Sequence, residues 1–153
     1  MESKLSKRLT DIVDALPLKD VIRVLEVGCG PGAMAREMAA RINAGHVLAI
    51  DRSAKAIHMA ISGSKDQIKK GRLLFRQCAI EKFELEPHEK PFDIAIAVRV
   101  GALDGRHPEI EKQALLQIAK ALKKTGKLYI DGGNPLREVS LDKYRKELHS
   151  TFG

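Results

Sequence analysis

One acidic residue and three glycines, spaced two residues apart, form the most chemically suggestive segment of the chain. Glu26 is followed by Gly28, Gly30 and Gly32, and the apolar, β-branched run of residues 21–27 leads into them. Such a run is typical of a parallel strand that is buried on both faces. The glycines allow a sharp turn and a close approach to a ligand, and the helix that follows would point free N–H groups at it. Together they predict a site for a nucleotide-type cofactor.

The glycine-rich turn fits two kinds of cofactor. As Gly28-x-Gly30-x-x-Ala33 it matches a dinucleotide fingerprint, and Asp51, about 20 residues further on, would hold a ribose. Glu26 argues against a pyrophosphate because like charges repel. S-adenosylmethionine carries an ammonium, a sulfonium and a ribose but no phosphate, so it suits both acids better. The simpler alternative is that Glu26 only ends a strand and Asp51 only flanks a helix.

The rest of the chain alternates predicted strands with predicted helices. Further strands are predicted at residues 46–51, 72–79, 92–98 and 127–130. Helices are predicted at residues 3–16, from the glycine-rich turn to residue 42, and at 54–62, 65–70 and 108–123, with a last helix capped by Ser140. This alternation predicts an α/β fold, a three-layer sandwich in which helices cover both faces of a doubly wound, mainly parallel sheet.

Length and composition indicate a single globular domain spanning residues 1–153, with 44% hydrophobic and 31% charged residues. No apolar run approaches the roughly 20 residues of a membrane span, so no membrane partner is expected. The N-terminus lacks the apolar core of a secretion signal. Cys29 and Cys78 have no zinc-like spacing, which favours a reducing cytoplasm over a disulfide scaffold. A net charge of +7 could attract nucleic acid, but aromatic stacking platforms are scarce, with no Trp, two Tyr and four Phe.

Four segments resemble, in order and spacing, the motifs of the class I S-adenosylmethionine-dependent methyltransferases. Residues 25–32 resemble the first motif, and residues 48–53 resemble the second, whose acid holds the ribose hydroxyls. Residues 91–98 look like the fourth-strand motif, and residues 122–130 resemble the helix, turn and strand that follow. The resemblance implies a Rossmann-like sheet of order 3-2-1-4-5. It also implies S-adenosylmethionine as cofactor, S-adenosylhomocysteine as product, and no metal.

The resemblance also implies a set of cofactor-binding residues at the strand ends. They are Glu26, Gly28, Cys29, Gly30, Gly32, Asp51, Arg52, Cys78, Ala79, Ile80 and Val98. Cys78 stands where the family often has an acid that binds the adenine amino group. The adenine would then be held mainly by the backbone of Ala79 and Ile80, with Glu81 as a weaker candidate. Arg52 could stack on the adenine or form a surface salt bridge. Both cysteines are expected to pack rather than to act as nucleophiles.

The end of the chain departs from the family pattern. Family members continue with a helix and two antiparallel strands, whereas here only residues 132–153 follow the fifth strand. We therefore expect a loop and one helix, no antiparallel strands, and a fifth strand that forms an exposed edge. A homodimer, a partner chain or the last helix would cover that edge.

Methyl transfer needs an aligned acceptor and sometimes a base, because the cofactor itself supplies the activated carbon. Acceptor-facing residues belong at the carboxyl ends of the strands beside the switch point. His107 is a candidate base, or else a helix N-cap or plain surface residue, and Asp104 could orient it, bind a substrate amine or shape the turn. Arg99 and Arg106 could clamp a carboxylate or phosphate on the acceptor. Asp131 and Asn134 belong to the same region.

The sequence thus predicts an S-adenosylmethionine-dependent methyltransferase with a small-molecule acceptor. One alternative is a non-catalytic cofactor-binding subunit that a partner completes. Another is an RNA or DNA methyltransferase that uses the lysines of 65–70 and 120–127, although residues 97–100 lack the Asn-Pro-Pro-aromatic signature of amino-directed enzymes. An NAD-dependent oxidoreductase is a third, but 153 residues leave little room for its second substrate region.

Overall fold

The computed structural model describes residues 5–152, which form a six-stranded sheet with helices on both faces. The strands are β1 (Arg23–Val27), β2 (His46–Asp51), β3 (Leu73–Gln77), β4 (Phe92–Ala97), β5 (Leu122–Asp131) and β6 (Leu136–Val139). The helices are α1 (Lys7–Ala15), α2 (Ala33–Ala40), α3 (Ala54–Ser62), α4 (Lys65–Lys69), α5 (Pro108–Ala121) and α6 (Asp142–Phe152), with a 3₁₀ turn at Ile80–Lys82. Residues 3 and 4 of the first predicted helix lie outside the described residues. No described helix is long and apolar enough to cross a membrane.

The strand order is β3-β2-β1-β4-β5-β6, which confirms the predicted order of the first five strands. β1 lies between β2 and β4 and runs parallel to both. The chain therefore starts at the centre of the sheet, winds to one edge, and then crosses back to wind toward the other. As a result, the loops after β1 and β4 diverge at the carboxyl end of the sheet, and the gap between them is a natural ligand crevice.

Alternating side chains of the strands form a core on each face of the sheet. Leu25 and Phe92 pack on the side covered by α5, where Ile118 is fully buried. Val24 packs on the other side, against Met38 of α2. Val21 was predicted to belong to the first strand, but it is 75% exposed, because the strand begins two residues later at the edge of the core.

The predicted absence of C-terminal antiparallel strands is wrong. β6 pairs antiparallel with β5, from Leu128 opposite Val139 to Asp131 opposite Leu136. The chain reverses in a tight turn at Gly133, where a Cβ atom would collide with the carbonyl oxygen of Leu136. The β5 edge that a homodimer was expected to cover is thus covered within the chain. The observed β5 is also longer than the strand predicted at residues 127–130.

We expect β5 to exchange its amide hydrogens slowly, because it has a hydrogen-bonded neighbour on each side. β3 is the matched internal control, since it has only β2 as a partner. In hydrogen–deuterium exchange of the native protein, peptides covering residues 127–131 should be protected at least as well as those covering residues 73–77. Faster exchange in β5 than in β3 would contradict the pairing with β6.

Candidate active site

The glycine-rich turn after β1 is anchored to the end of β2. Gly28, Gly30 and Gly32 all have positive φ angles, of 74°, 54° and 91°. The Gly28 N–H donates to the carbonyl of Ile50 at 2.8 Å, and the Gly30 N–H donates to Asp51 Oδ2 at 2.9 Å. Apart from Gly30 and its two chain neighbours, no described residue has a heavy atom within 4 Å of the position that a Cβ on Gly30 would take. The backbone at Gly30 is therefore open to a ligand, as the sequence predicts for this turn.

Asp51 organises the turn in a way that sequence reasoning missed. Its Oδ2 accepts the Gly30 N–H, and its Oδ1 accepts the Ser53 N–H at 2.9 Å. Ser53 in turn caps α3, as predicted, by accepting the Ala56 N–H at 3.1 Å. The Asp51–Ser53 spacing is that of an Asx turn and is visible in the sequence, whereas the Gly30 contact depends on the fold. Each carboxylate oxygen keeps a second lone pair for a ligand hydroxyl.

A cavity of about 270 Å³ opens beside Asp51, and we call it the Asp51 cavity. One wall is formed by residues after β2 and β3, namely Arg52, Cys78, Ala79, Ile80 and Glu81. The other wall is the loop after β4, including Arg99, Gly101, Arg106 and His107. The structure thus brings the predicted adenine-side residues and the predicted acceptor loop around one space. No described residue forms an ion pair with Arg52, which removes the salt-bridge alternative within residues 5–152.

A second cavity of about 320 Å³, the Glu26 cavity, lies on the other side of the glycine-rich turn. Glu26, Cys29 and Val98 line it, as do Gly28, Gly30 and Pro31 of the turn. α1 completes the wall with Ser6, Arg8 and Leu9. The sequence predicted a helix here but carried no signal that it would line a cavity. The predicted cofactor-binding residue Gly32 lines neither cavity and packs instead toward Phe75 and Ala60. The two cavities share Gly28 and Arg99.

Glu26 is a buried carboxyl group with an unsatisfied oxygen. It is 3% exposed, and its Oε1 has no hydrogen-bond partner among the described residues. Burial raises the pKa of Glu26 to about 8, the nearby charge of Asp51 adds to the rise, and Arg36 partly opposes it. An unpaired buried polar group costs free energy, and a positively charged donor bound in the Glu26 cavity would recover it.

The two cysteines behave as neutral packing residues. Burial raises the pKa of the Cys29 thiol, and the acidic groups of Glu26 and Asp51 raise it further. Burial also raises the pKa of Cys78, whose Sγ lies 3.2 Å from the carbonyl oxygen of Ala79. Neither thiol has the lowered pKa of a nucleophile. The described residues contain no group of three or more His, Cys, Asp or Glu side chains placed to hold a metal ion.

The acceptor loop is held by arginine contacts that the sequence did not predict. Arg106 Nε pairs with Asp104 Oδ2 at 2.8 Å, and Arg106 Nη2 donates to the carbonyl of Arg99 at 2.9 Å. Asp104 therefore contacts Arg106 rather than His107, which matches its turn-shaping alternative. At the other end of the loop, Asp131 Oδ1 accepts the Arg99 N–H at 3.1 Å and Asp131 Oδ2 pairs with Arg8 at 2.8 Å.

His107 is the last residue of the loop after β4, and it faces the Asp51 cavity. A Cβ atom on Gly101 would approach its Cδ2 to 2.7 Å, and its Nδ1 lies 3.3 Å from Glu109 Oε1. Its side chain is 54% exposed and makes no capping hydrogen bond to α5. His107 thus occupies the N-cap position of α5, as one of its alternatives predicts, but only its backbone carbonyl caps the helix, so its exposed side chain is open to a ligand.

The shifted pKa of Glu26 predicts how stability depends on pH. Between the ordinary value of 4.5 and about 8, the folded carboxyl holds a proton that the unfolded one releases. The free energy of unfolding should therefore fall as the pH rises through this window, by at most about 1.4 kcal/mol per pH unit from this group. Glu26→Gln removes that slope and should be the more stable protein at pH 8.

Urea unfolding of both proteins from pH 5 to pH 8 measures the effect, because the difference between the curves isolates Glu26 from other titrating groups. Glu84→Gln, which changes an exposed carboxyl group, is the matched control and should keep the wild-type slope. Parallel curves for Glu26→Gln and the wild type would show that Glu26 is ionised in the folded protein.

Comparison with known proteins places this geometry in a family. No curated protein matches the sequence. Among solved structures, the cyclase SpnF is 26% identical with a TM-score of 0.65, over 80% of this chain and 43% of that one. Phosphoethanolamine N-methyltransferase 2 of Haemonchus contortus, in complex with S-adenosyl-L-methionine, is 25% identical with a TM-score of 0.64, over 81% of this chain and 27% of that one.

A methyltransferase of Geobacter sulfurreducens, bound to S-adenosyl-L-homocysteine, shares the fold at 20% identity and a TM-score of 0.64, over 82% of this chain and 47% of that one. The present chain thus spans less than half the length of these three structures. Residues 18–152 match the family model for the methyltransferase domain. With the motifs and the strand order, this match shows that the chain belongs to the S-adenosylmethionine-dependent methyltransferases of Rossmann-like fold.

Proposed function

We propose that the chain binds S-adenosylmethionine across the two cavities and transfers its methyl group to a small-molecule acceptor. The observation that carries the proposal is the buried Glu26 carboxyl group, whose Oε1 has no partner among the described residues and which lines a cavity beside the open Gly30 backbone. The cofactor's ammonium would satisfy this oxygen and hold the carboxylate in its charged form. A pyrophosphate at the same place would add a like charge, so a nicotinamide cofactor fits poorly.

The remaining residues divide the cofactor between the cavities. The free lone pairs of Asp51 suit the ribose hydroxyls, and the wall from Cys78 to Glu81 suits the adenine. Arg52, which lines the same cavity, can stack its guanidinium plane on the base. The methionyl part would then pass Gly28 into the Glu26 cavity. The donor group is thereby presented at the junction of the two cavities, next to the loop after β4.

When bound, S-adenosylmethionine supplies a methyl group already activated by a sulfonium, so the chain has to bind, orient and deprotonate the acceptor. The loop after β4 is the acceptor side in this proposal. His107 is the residue we assign to proton removal, because it faces the Asp51 cavity and imidazole is the side chain that most often serves as a general base. Asp104 supports the loop through Arg106.

A small acceptor fits better than a nucleic acid. The Haemonchus enzyme, a phosphoethanolamine N-methyltransferase, is also solved with phosphomonomethylethanolamine, a small molecule. The lysines proposed for nucleic-acid contact precede β3 or begin β5, so they lie at the amino end of the sheet, opposite the cavities. Two of them are already paired, Lys123 with Asp93 and Lys127 with Glu138.

The free state of Cys29 and Cys78 agrees with a cytoplasmic setting.

Calorimetric titration tests the proposal directly. We expect S-adenosylhomocysteine to bind with a micromolar Kd, and NAD and NADP to bind at least 100-fold more weakly. Tighter binding of a nicotinamide cofactor would refute the choice of cofactor.

Asp51→Ala should weaken S-adenosylhomocysteine binding by roughly 1.5–3 kcal/mol, because charge-assisted hydrogen bonds to the ribose are lost. The substitution also frees the Gly30 N–H, so the ligand supplies the control. A 2′,3′-dideoxy analogue of S-adenosylhomocysteine should lose much less affinity than the parent ligand. Equal losses for both ligands would show that Asp51 acts only by shaping the turn.

His107→Ala should leave the affinity for S-adenosylhomocysteine within about two-fold of the wild type, since the proposed contacts to the cofactor lie on other residues. Once an acceptor is found, kcat should fall by roughly 100-fold or more, because the group assigned to proton removal is lost. A large loss of cofactor affinity would instead place His107 on the cofactor side of the site.

A further inference from the structure

We infer that Arg99 is the anion anchor of this site, and that its guanidinium binds a carboxylate or phosphate where the two cavities meet. The inference rests on the proposed function and deepens it. Sequence reasoning paired Arg99 with Arg106 as a clamp for such an anion. The structure separates the two arginines, because Arg106 is taken up by Asp104 and by the backbone of the loop.

The backbone of Arg99 is held in a conformation that disfavours an arginine. Its φ angle is 55°, and within residues 5–152 no other non-glycine residue has a positive φ. Glycine would adopt this conformation with less strain. The conformation is fixed from both sides, because Asp131 accepts the Arg99 N–H and Arg106 donates to its carbonyl. A strained residue that its surroundings hold so firmly is a candidate for function.

The side chain of Arg99 is available for a ligand. No described residue accepts a hydrogen bond from its guanidinium or forms an ion pair with it, whereas Arg8 is paired with Asp131 and Arg106 with Asp104. The residues that line both cavities are Gly28 and Arg99, and glycine has no side chain to offer. Arg99 is therefore the side chain that borders both the cofactor's proposed path and the acceptor loop.

The acidic groups around Arg99 all have other partners, so its positive charge is free to bind one anion. In the proposed function Glu26 meets an ammonium, and Asp51 meets backbone N–H groups and a ribose. Asp131 is balanced by Arg8 and by the Arg99 N–H. Guanidinium groups bind carboxylates and phosphates through two parallel hydrogen bonds. The anion has two possible sources, the carboxylate of the cofactor's methionyl part and an acidic group on the acceptor.

Two ligands that differ in the amino-acid part separate these sources. S-adenosylhomocysteine and 5′-methylthioadenosine, which lacks the carboxylate, are titrated into the wild type, Arg99→Gln and Arg99→Lys. Glutamine meets the same left-handed backbone as arginine, so it tests the guanidinium without relieving the strain. If the cofactor carboxylate is the anion, Arg99→Gln loses at least ten-fold in S-adenosylhomocysteine affinity and none in methylthioadenosine affinity, and Arg99→Lys loses less.

The second arm follows the arginine Nε–H signals by ¹⁵N NMR. Inorganic phosphate or acetate is titrated into the ligand-free protein and into the protein saturated with S-adenosylhomocysteine. If the anion belongs to the acceptor, cofactor affinity is unchanged in Arg99→Gln, and one saturable Nε–H shift persists in the saturated wild type and is absent from the variant. Lys146→Gln is the control for charge, since its neighbour Arg145 contacts Gly126 near the opposite end of β5.

The inference is overturned if Arg99→Gln binds S-adenosylhomocysteine like the wild type and neither anion moves a signal that the variant lacks. It is also overturned if Lys146→Gln reproduces the losses of Arg99→Gln, because the effect would then be one of net charge. A wild type that binds neither adenosine ligand refutes the proposed function instead, and the anion titration of the ligand-free protein still tests Arg99.

Discussion

The contact between the Asp51 carboxylate and the Gly30 N–H is the constraint on which the site depends. It joins the turn after β1 to the start of α3, because the other carboxylate oxygen holds the Ser53 N–H. The turn is thereby fixed in its left-handed conformation, with cavities on both sides of it. Only an acid at the end of β2 can accept two N–H groups and still offer lone pairs to a ligand. One residue therefore holds the turn and, in the proposed function, also binds the ribose.

Whereas Asp51 stabilises the turn, the buried carboxyl group of Glu26 costs the folded protein stability. This carboxyl group is buried beside the core, where an apolar side chain would leave no polar atom unpaired, and its Oε1 has no partner among the described residues. The raised pKa measures this cost, since the ligand-free protein avoids it by keeping the proton. A cation that enters the Glu26 cavity would be bound by a group that folding has left unsatisfied.

The loop after β4, the acceptor loop of the proposed function, depends on an ion pair and a hydrogen bond between distant parts of the chain. Asp131 at the end of β5 holds Arg8 of α1 and the backbone of Arg99 after β4. The first helix, the last parallel strand and the acceptor loop therefore meet at one carboxylate. β6 supports this arrangement, because its pairing with β5 reaches Asp131 itself, opposite Leu136. The antiparallel strand that was not predicted contributes in this way to the position of the acceptor loop.

The sequence by itself determined the features that depend on near neighbours. The apolar runs and their glycine breaks predicted five parallel strands, and β2 and α3 have the predicted bounds because an acid and the Ser53 cap mark their junction. The family motifs added the strand order, and parallel strands bring their carboxyl ends together, so residues such as Glu26 and Asp51 could be assigned to one site. Only the tertiary structure decided that Asp104 contacts Arg106 rather than His107, that α1 lines a cavity, and that four residues form β6. α1 reaches the cavity because the crossovers bring Arg8 to Asp131, 123 positions away, and no local pattern encodes such a meeting. The Asp104–Arg106 pair and the β5–β6 hairpin join near neighbours, but their geometry depends on how the loop and the turn pack against the rest of the fold.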